Sequence, residues 1–222
     1  MGISGVRKLW KQTICAWMGG ILLSLTCVSL AQDHIKPSAV SGQTVLIVGD
    51  SLSAEYGLPR GSGWVSLLAQ RLEKHRPPWR VVNASISGET SAGGRSRIET
   101  LLKTHRPKVV VIELGGNDAL RGLSLASTQD NLLTMANLSK SQGAMVLLLG
   151  MKVPPNYGAD YNAQFGKAFA QVAQQTHSRW VPFFLEPLTA PGEWFQTDRI
   201  HPNEKAQILM LDHVWPALEK LL

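Results

Sequence analysis

Five short runs in this chain are apolar and rich in β-branched residues, with hydrophobicity that is continuous rather than alternating. They are Thr44–Val48 (TVLIV), Arg80–Asn83 (RVVN), Lys108–Leu114 (KVVVIEL), Ala144–Leu149 (AMVLLL) and Trp180–Phe184 (WVPFF). A strand with one wet face alternates, whereas a continuous run needs cover on both faces, the condition of strands in a parallel sheet. Longer amphipathic stretches separate them: 63–75, 91–105, 128–142, 161–177 and 203–222. In the first, Trp64, Leu67, Leu68 and Leu72 share one helical face. Pro77-Pro78 and Pro107 stand between a helix and the next strand, where proline's missing N–H and steric demands end helices. The alternation predicts an α/β fold: a three-layer α/β/α sandwich around a five-stranded parallel sheet, one domain spanning 44–222.

Residues 1–31 stand apart. Arg7, Lys8 and Lys11 precede an apolar run from Ile14 to Ala31 that contains no acid, and the small residues Ser29 and Ala31 come just before Gln32. This is the layout of a cleaved secretory signal. Gly19-Gly20 and the polar Ser24, Thr26 and Ser29 interrupt the run and speak against an uncleaved spanning helix. Ser24-Leu25-Thr26 makes a poor lipidation site of Cys27. Residues 32–43 lack periodicity and read as a short leader. The expected location is the periplasm or the exterior, with no stable membrane anchor after signal removal.

The full chain of 222 residues has a formal charge of +6 and two cysteines. Half of that charge and both thiols, Cys15 and Cys27, leave with the signal, so the working domain carries +3. That is too little charge for a nucleic-acid partner. A cysteine-free domain suits an oxidising compartment.

Ligands of open α/β sheets bind beyond the carboxyl ends of the strands. There the sequence places Gly49-Asp50-Ser51-Leu52-Ser53, then Asn83–Thr90 (NASISGET), then Gly115-Gly116-Asn117-Asp118. Asp198-Arg199-Ile200-His201-Pro202-Asn203 opens the last helix. These residue types fit nucleophilic acyl transfer. A serine hydroxyl needs a neighbouring base, and a carboxylate on the far ring nitrogen of a histidine fixes its tautomer and stabilises the imidazolium. Asp198 and His201 are three residues apart, close enough for that bond. The Ser51 and Gly88 N–H groups with the Asn117 amide form a candidate oxyanion hole.

Together, Gly-Asp-Ser-Leu at 49–52, the lone Gly88, Gly-Gly-Asn-Asp at 115–118 and Asp-x-x-His at 198–201 resemble the four ordered blocks of the SGNH (GDSL) hydrolase family. Asn83–Thr90, Glu113–Gly122 (ELGGNDALRG) and Pro155–Phe165 are similar to its bacterial multifunctional thioesterase I/lysophospholipase/arylesterase group. The resemblance implies a flavodoxin-like sandwich with Ser51 as nucleophile, His201 as base and Asp198 as its orienting acid. It implies an oxyanion hole of Ser51, Gly88 and Asn117. It differs at Arg199, where close relatives often carry glycine, a change expected to bear on substrate access. Gly116 is read as backbone spacing, and Asp50 and Asp118 as braces for their loops.

Met151–Tyr161 (MKVPPNYGADY) follows the fourth strand and is expected to be a mobile loop lining the acyl-chain groove through Val153, Pro154 and Tyr157. The expected substrate is a small acyl ester, thioester or lysolipid, handled by a monomer. No cofactor and no metal are expected, since the histidines show no paired ligand spacing. The tryptophans read as packing residues. The alternatives are a carbohydrate O-acetyl esterase and a non-catalytic lipid- or cell-wall-binding module on the same fold. No G-x-S-x-G elbow and no phosphate-binding glycine loop occurs.

Overall fold

A computed structural model describes residues 43–190 and 192–222; the expected export signal at 1–31 and the expected leader as far as residue 42 lie outside the described residues. The elements run β1 (Gln43–Gly49), α1 (Trp64–Glu73), β2 (Trp79–Asn83), α2 (Ser91–His105), β3 (Val109–Glu113) and α3 (Gly116–Leu120). They continue α4 (Leu125–Ser141), β4 (Met145–Leu149), α5 (Ala159–Thr176), β5 (Arg179–Val181) and α6 (Ala206–Leu218). All five strands pair in parallel in the order β2-β1-β3-β4-β5.

This order explains the two covering layers. The chain leaves β1 toward β2 on one side, then returns past β1 to β3 and proceeds through β4 to β5. Right-handed crossovers therefore put α1 on one face and α2, α4 and α5 on the other. The direction of the path reverses beside β1, so the crevice lies outside the carboxyl ends of β1 and β3. α2, α4 and α5 pack side by side, and α6 joins α1.

The continuous apolar runs of the inner strands meet their requirement, while the edge strands β2 and β5 are only partly covered. Val45–Val48 of β1 and Val109–Ile112 of β3 have no exposed surface. One aromatic pair anchors each layer: Phe165 meets Phe169 edge-on at 5.2 Å, and Trp64 meets Phe184 at 5.4 Å. Fully burying such a side chain stabilises by about 1.5–3 kcal/mol. α2 has clear stops: Thr90 caps the Gly93 N–H at its start, and Arg106 ends it in a left-handed turn at φ 43°.

Among the differences from expectation are two boundaries and one whole element. β5 ends at Val181 because Pro182 has no N–H to continue the ladder. α6 begins at Ala206, since the Asn203 side chain caps the Ala206 N–H and holds the preceding residues in turns. α3 was not expected; five residues are too few for a helical period to register.

Candidate active site

The turn after β1 carries Ser51, and the segment leading to α6 carries Asp198 and His201. His201 Nδ1–H donates to Asp198 Oδ2 at 2.6 Å, which leaves Nε2 as the acceptor for the Ser51 hydroxyl at 3.0 Å. Asp198 Oδ1 also accepts the N–H groups of Ile200 (2.9 Å) and His201 (3.0 Å), so the turn closes on its own carboxylate. Those bonds, first the His201 N–H and then its ring, hold the Asp198 carboxyl down to about 2. The segment is a narrow loop tied by Gln196 N–H to the His201 carbonyl (2.8 Å) and Asn203 N–H to the Trp194 carbonyl (2.7 Å).

Arg199 takes a left-handed conformation at φ 59°. Glycine adopts that region without strain, which accounts for the position physically. The structure thus adds a backbone reason for glycine at this position to the expected bearing on substrate access.

The three expected oxyanion donors differ in what they bond. Among the described residues, neither the Ser51 N–H nor the Gly88 N–H donates to a protein acceptor. Gly88 sits at φ 76°, and its carbonyl accepts Arg121 Nη2 at 2.9 Å, which fixes the loop's orientation. Asn117 lies in the first turn of α3. Its Nδ2 donates to Asp50 Oδ2 at 2.8 Å and to the Glu89 carbonyl at 3.0 Å. Because both partners are acceptors, the orientation of the amide is unambiguous.

Of the glycine pair, Gly115 has the conformational demand. Its φ is 114°, and a Cβ there would come 3.2 Å from Phe169; Gly116 has room. Asp118 accepts from the Ser91 N–H, the Ser91 hydroxyl and the Thr128 hydroxyl, and so binds α3 to α2 and α4. Asp50 Oδ1 accepts the Leu52 N–H at 3.0 Å and braces the serine turn. Burial pushes the Asp50 carboxyl up to about 6, against the opposing Leu52 N–H, His201 charge and Asn117 amide.

The residues expected to line a groove differ in exposure. Val153 is buried in the core, with its N–H on Asn162 Oδ1 at 2.9 Å. Pro154 is exposed, and Tyr157 is half-exposed. The loop expected to be mobile is tied down: Tyr157 Oη donates to the Leu120 carbonyl (3.2 Å) and Tyr161 Oη to the Ala119 carbonyl (3.1 Å). Most large exposed apolar side chains among the described residues surround the site on loops after the strands, including Tyr56, Ile86, Leu123, Phe195 and Ile200.

Sequence reasoning missed Tyr56, Glu113, Arg121 and Gln196. Tyr56 packs against the His201 ring, and Gln196 Nε2 donates to the Tyr56 carbonyl at 2.9 Å, joining the serine turn to the histidine loop. The signal for Glu113 was an acid inside an apolar run, since a buried carboxyl requires partners.

A nucleophile turn on β1, an amide donor on α3 and an Asp-x-x-His loop before the last helix, all on a five-stranded parallel sheet, define an SGNH-type hydrolase architecture. The sequence profile of the GDSL-like Lipase/Acylhydrolase family matches residues 47–207, and the chain belongs to that family. It is 47% identical to the esterase TesA of Pseudomonas aeruginosa over 205 residues, 92% of this chain and 100% of the relative. It is 39% identical to the thioesterase 1/protease 1/lysophospholipase L1 of Escherichia coli (strain K12), over 83% of this chain and 87% of that one. The crystal structure of the psychrotrophic esterase EstA from Pseudoalteromonas sp. superposes with a TM-score of 0.76 at 39% identity, over 80% of this chain and 97% of that one.

Proposed function

We propose that this protein is a serine esterase that cleaves single-chain acyl esters and thioesters through an acyl-enzyme on Ser51. The observation that carries the reading is the continuous path Asp198–His201–Ser51, at 2.6 and 3.0 Å, together with Ser51 and Gly88 N–H groups that have no protein acceptor among the described residues. His201 Nε2 takes the Ser51 proton as Oγ attacks the acyl carbonyl. The oxyanion receives the Ser51 and Gly88 N–H groups and one Asn117 N–H. Asn117 keeps its charge-assisted bond to Asp50 and gives up the weaker one to the neutral Glu89 carbonyl. His201 then protonates the leaving alcohol or thiol, and water activated by His201 releases the acid.

The apolar side chains around the site favour acyl groups with an aliphatic or aromatic body over acetyl. Esterase, thioesterase and lysophospholipase relatives support the same range. Among the described residues no helix is long and apolar enough to cross a membrane. With an export signal at 1–31, the protein works in the periplasm or outside the cell, as a monomer without a stable membrane anchor.

A fluorophosphonate probe followed by peptide mass spectrometry tests the assignment: Ser51 is labelled in the native protein, and Ser51→Ala is neither labelled nor active. Full hydrolysis of a short p-nitrophenyl ester by Ser51→Ala would refute it. Asn117→Ala lowers turnover by roughly 10²–10³-fold, the effect of removing one oxyanion donor. Octanoyl esters are cleaved faster than acetyl esters; the reverse order would favour an O-acetyl esterase.

A further inference from the structure

Beneath the serine turn lies a second carboxyl that the reaction does not use directly. Glu113 ends β3 and pairs in register with Gly49 of β1. Because Gly49 has no side chain, the Glu113 carboxyl lies across it; a Cβ at Gly49 would come 2.7 Å from Glu113 Oε2 and 2.8 Å from Ser53 Oγ. Glu113 has no exposed surface.

Its two oxygens are unequally treated. Oε2 accepts the Asp50 N–H at 3.2 Å and the Ser53 hydroxyl at 2.8 Å. Ser53 in turn accepts the Trp64 indole N–H at 3.2 Å, so its own proton points to Glu113. Oε1 is equally buried and receives no donor among the described residues. An ionised carboxylate with an orphaned oxygen in such a place is costly. A carboxylic acid is not, because a protonated Oε1 is a donor, and the neighbouring carboxyl is that of Asp50, whose own N–H already bonds Glu113 Oε2 at 3.2 Å.

We propose that Glu113 and Asp50 share one proton, held on Glu113 Oε1 and donated to the Asp50 carboxylate, and that this pair positions the Asn117 amide at the oxyanion. Asp50 then receives three donors: Leu52 N–H, Asn117 Nδ2–H and Glu113 O–H. Two adjacent buried carboxylates do not both ionise readily. Asp50 is the titratable group that faces Glu113, and His201 is the titratable group that faces Asp50. Burial and then the Asp50 charge push the Glu113 carboxyl well above the usual range, in the same direction as the geometry. Loss of the proton would set two anions against each other and swing Asp50, and with it Asn117, out of place. Glu113 and Asp50 are thus positioning residues. The positioning role rests on the reading of Ser51 as nucleophile, whereas the shared proton does not.

Infrared spectroscopy of the full protein near neutral pH, in H₂O and D₂O, reads the proton directly. The carbonyl stretch of a protonated carboxylic acid, shifted by deuterium, is present in the native protein and in Ser51→Ala and absent from Glu113→Gln. Absence of the band from the native protein would overturn the shared proton while leaving Ser51 labelling intact. Absence of Ser51 labelling with the band present would instead remove the esterase reading and the positioning role with it. In kinetics, Glu113→Ala lowers kcat by roughly 10²-fold with KM little changed, as misplacement of a reacting geometry does. Glu113→Gln, which keeps one donor and one acceptor without a titrating proton, restores most of that loss. A folded Glu113→Gln, verified by circular dichroism, that stays as slow as Glu113→Ala would overturn the proposal.

Discussion

The Tyr56 ring sits 4.4 Å from the His201 ring, tilted 41° to it. The turn that supplies the serine thus also supplies a wall for its base. The imidazole becomes cationic as the serine attacks, and an aromatic face then attracts it by about 0.5–1 kcal/mol at an exposed site. Tyr56→Leu is expected to lower kcat/KM by about two- to fivefold, and Tyr56→Phe to leave it near the native value. An ester hydrolysis assay on both variants checks this; equal losses would point to the hydroxyl rather than the ring.

Gln196 couples the same two segments. Its amide donates to the Tyr56 carbonyl at 2.9 Å and to the Pro202 carbonyl at 3.2 Å. Gln196→Ala removes both bonds at a cost of about 1–2 kcal/mol of stability. The serine turn and histidine loop are then free to part, so kcat should fall further than stability alone implies. Urea denaturation beside single-turnover kinetics separates the two effects.

The two site aspartates predict opposite pH dependences of stability. Asp198 is held down to about 2, so its contribution is complete above its unfolded value near 3.8 and is lost as pH falls from there to about 2. Asp50 is raised to about 6, so the folded state binds its proton more tightly; that contribution is complete below about 3.8 and is lost as pH rises through about 6. Urea midpoints across pH should show Asp198→Asn flattening the acid end and Asp50→Asn flattening the decline between 4 and 6. An unchanged slope in Asp50→Asn would show that another group is responsible.

Arg199 occupies a left-handed turn at φ 59° inside the Asp-x-x-His loop. Arg199→Val forces a β-branched residue into that region and should destabilise by about 1–2 kcal/mol. Arg199→Gly should leave activity unchanged and stability equal or slightly higher. Thermal denaturation with parallel activity assays tests both, and a Val variant as stable as the native protein would show that the turn is not held.

The fold could be read from the chain because its inner strands are buried on both faces, so their hydrophobicity is unbroken, and prolines and caps mark where helices stop. α2 was placed to the residue because Thr90 and Pro107 bracket it. α3 escaped because its one turn is held by Asp118 and Gly115, tertiary and backbone effects with no period of their own. Ser51, Asn117, Asp198 and His201 announce themselves by chemistry and position at strand ends. Glu113, Gln196 and Tyr56 act through contacts across the sheet edge that no local pattern encodes. Val153 looked like a groove residue because it sits on a loop, but Asn162 caps its N–H and the side chain turns inward.

The bond between Ser51 and His201 spans 150 residues of chain. The serine turn is made early, after the first strand, while the histidine arrives only with the segment that introduces the final helix. A growing chain therefore displays a bare hydroxyl for most of its synthesis and holds no base until the last element docks beside α1. Hydrolytic competence is in this sense a completion signal, absent from any fragment that stops short of residue 201 and gained in one step when the ends of the domain meet.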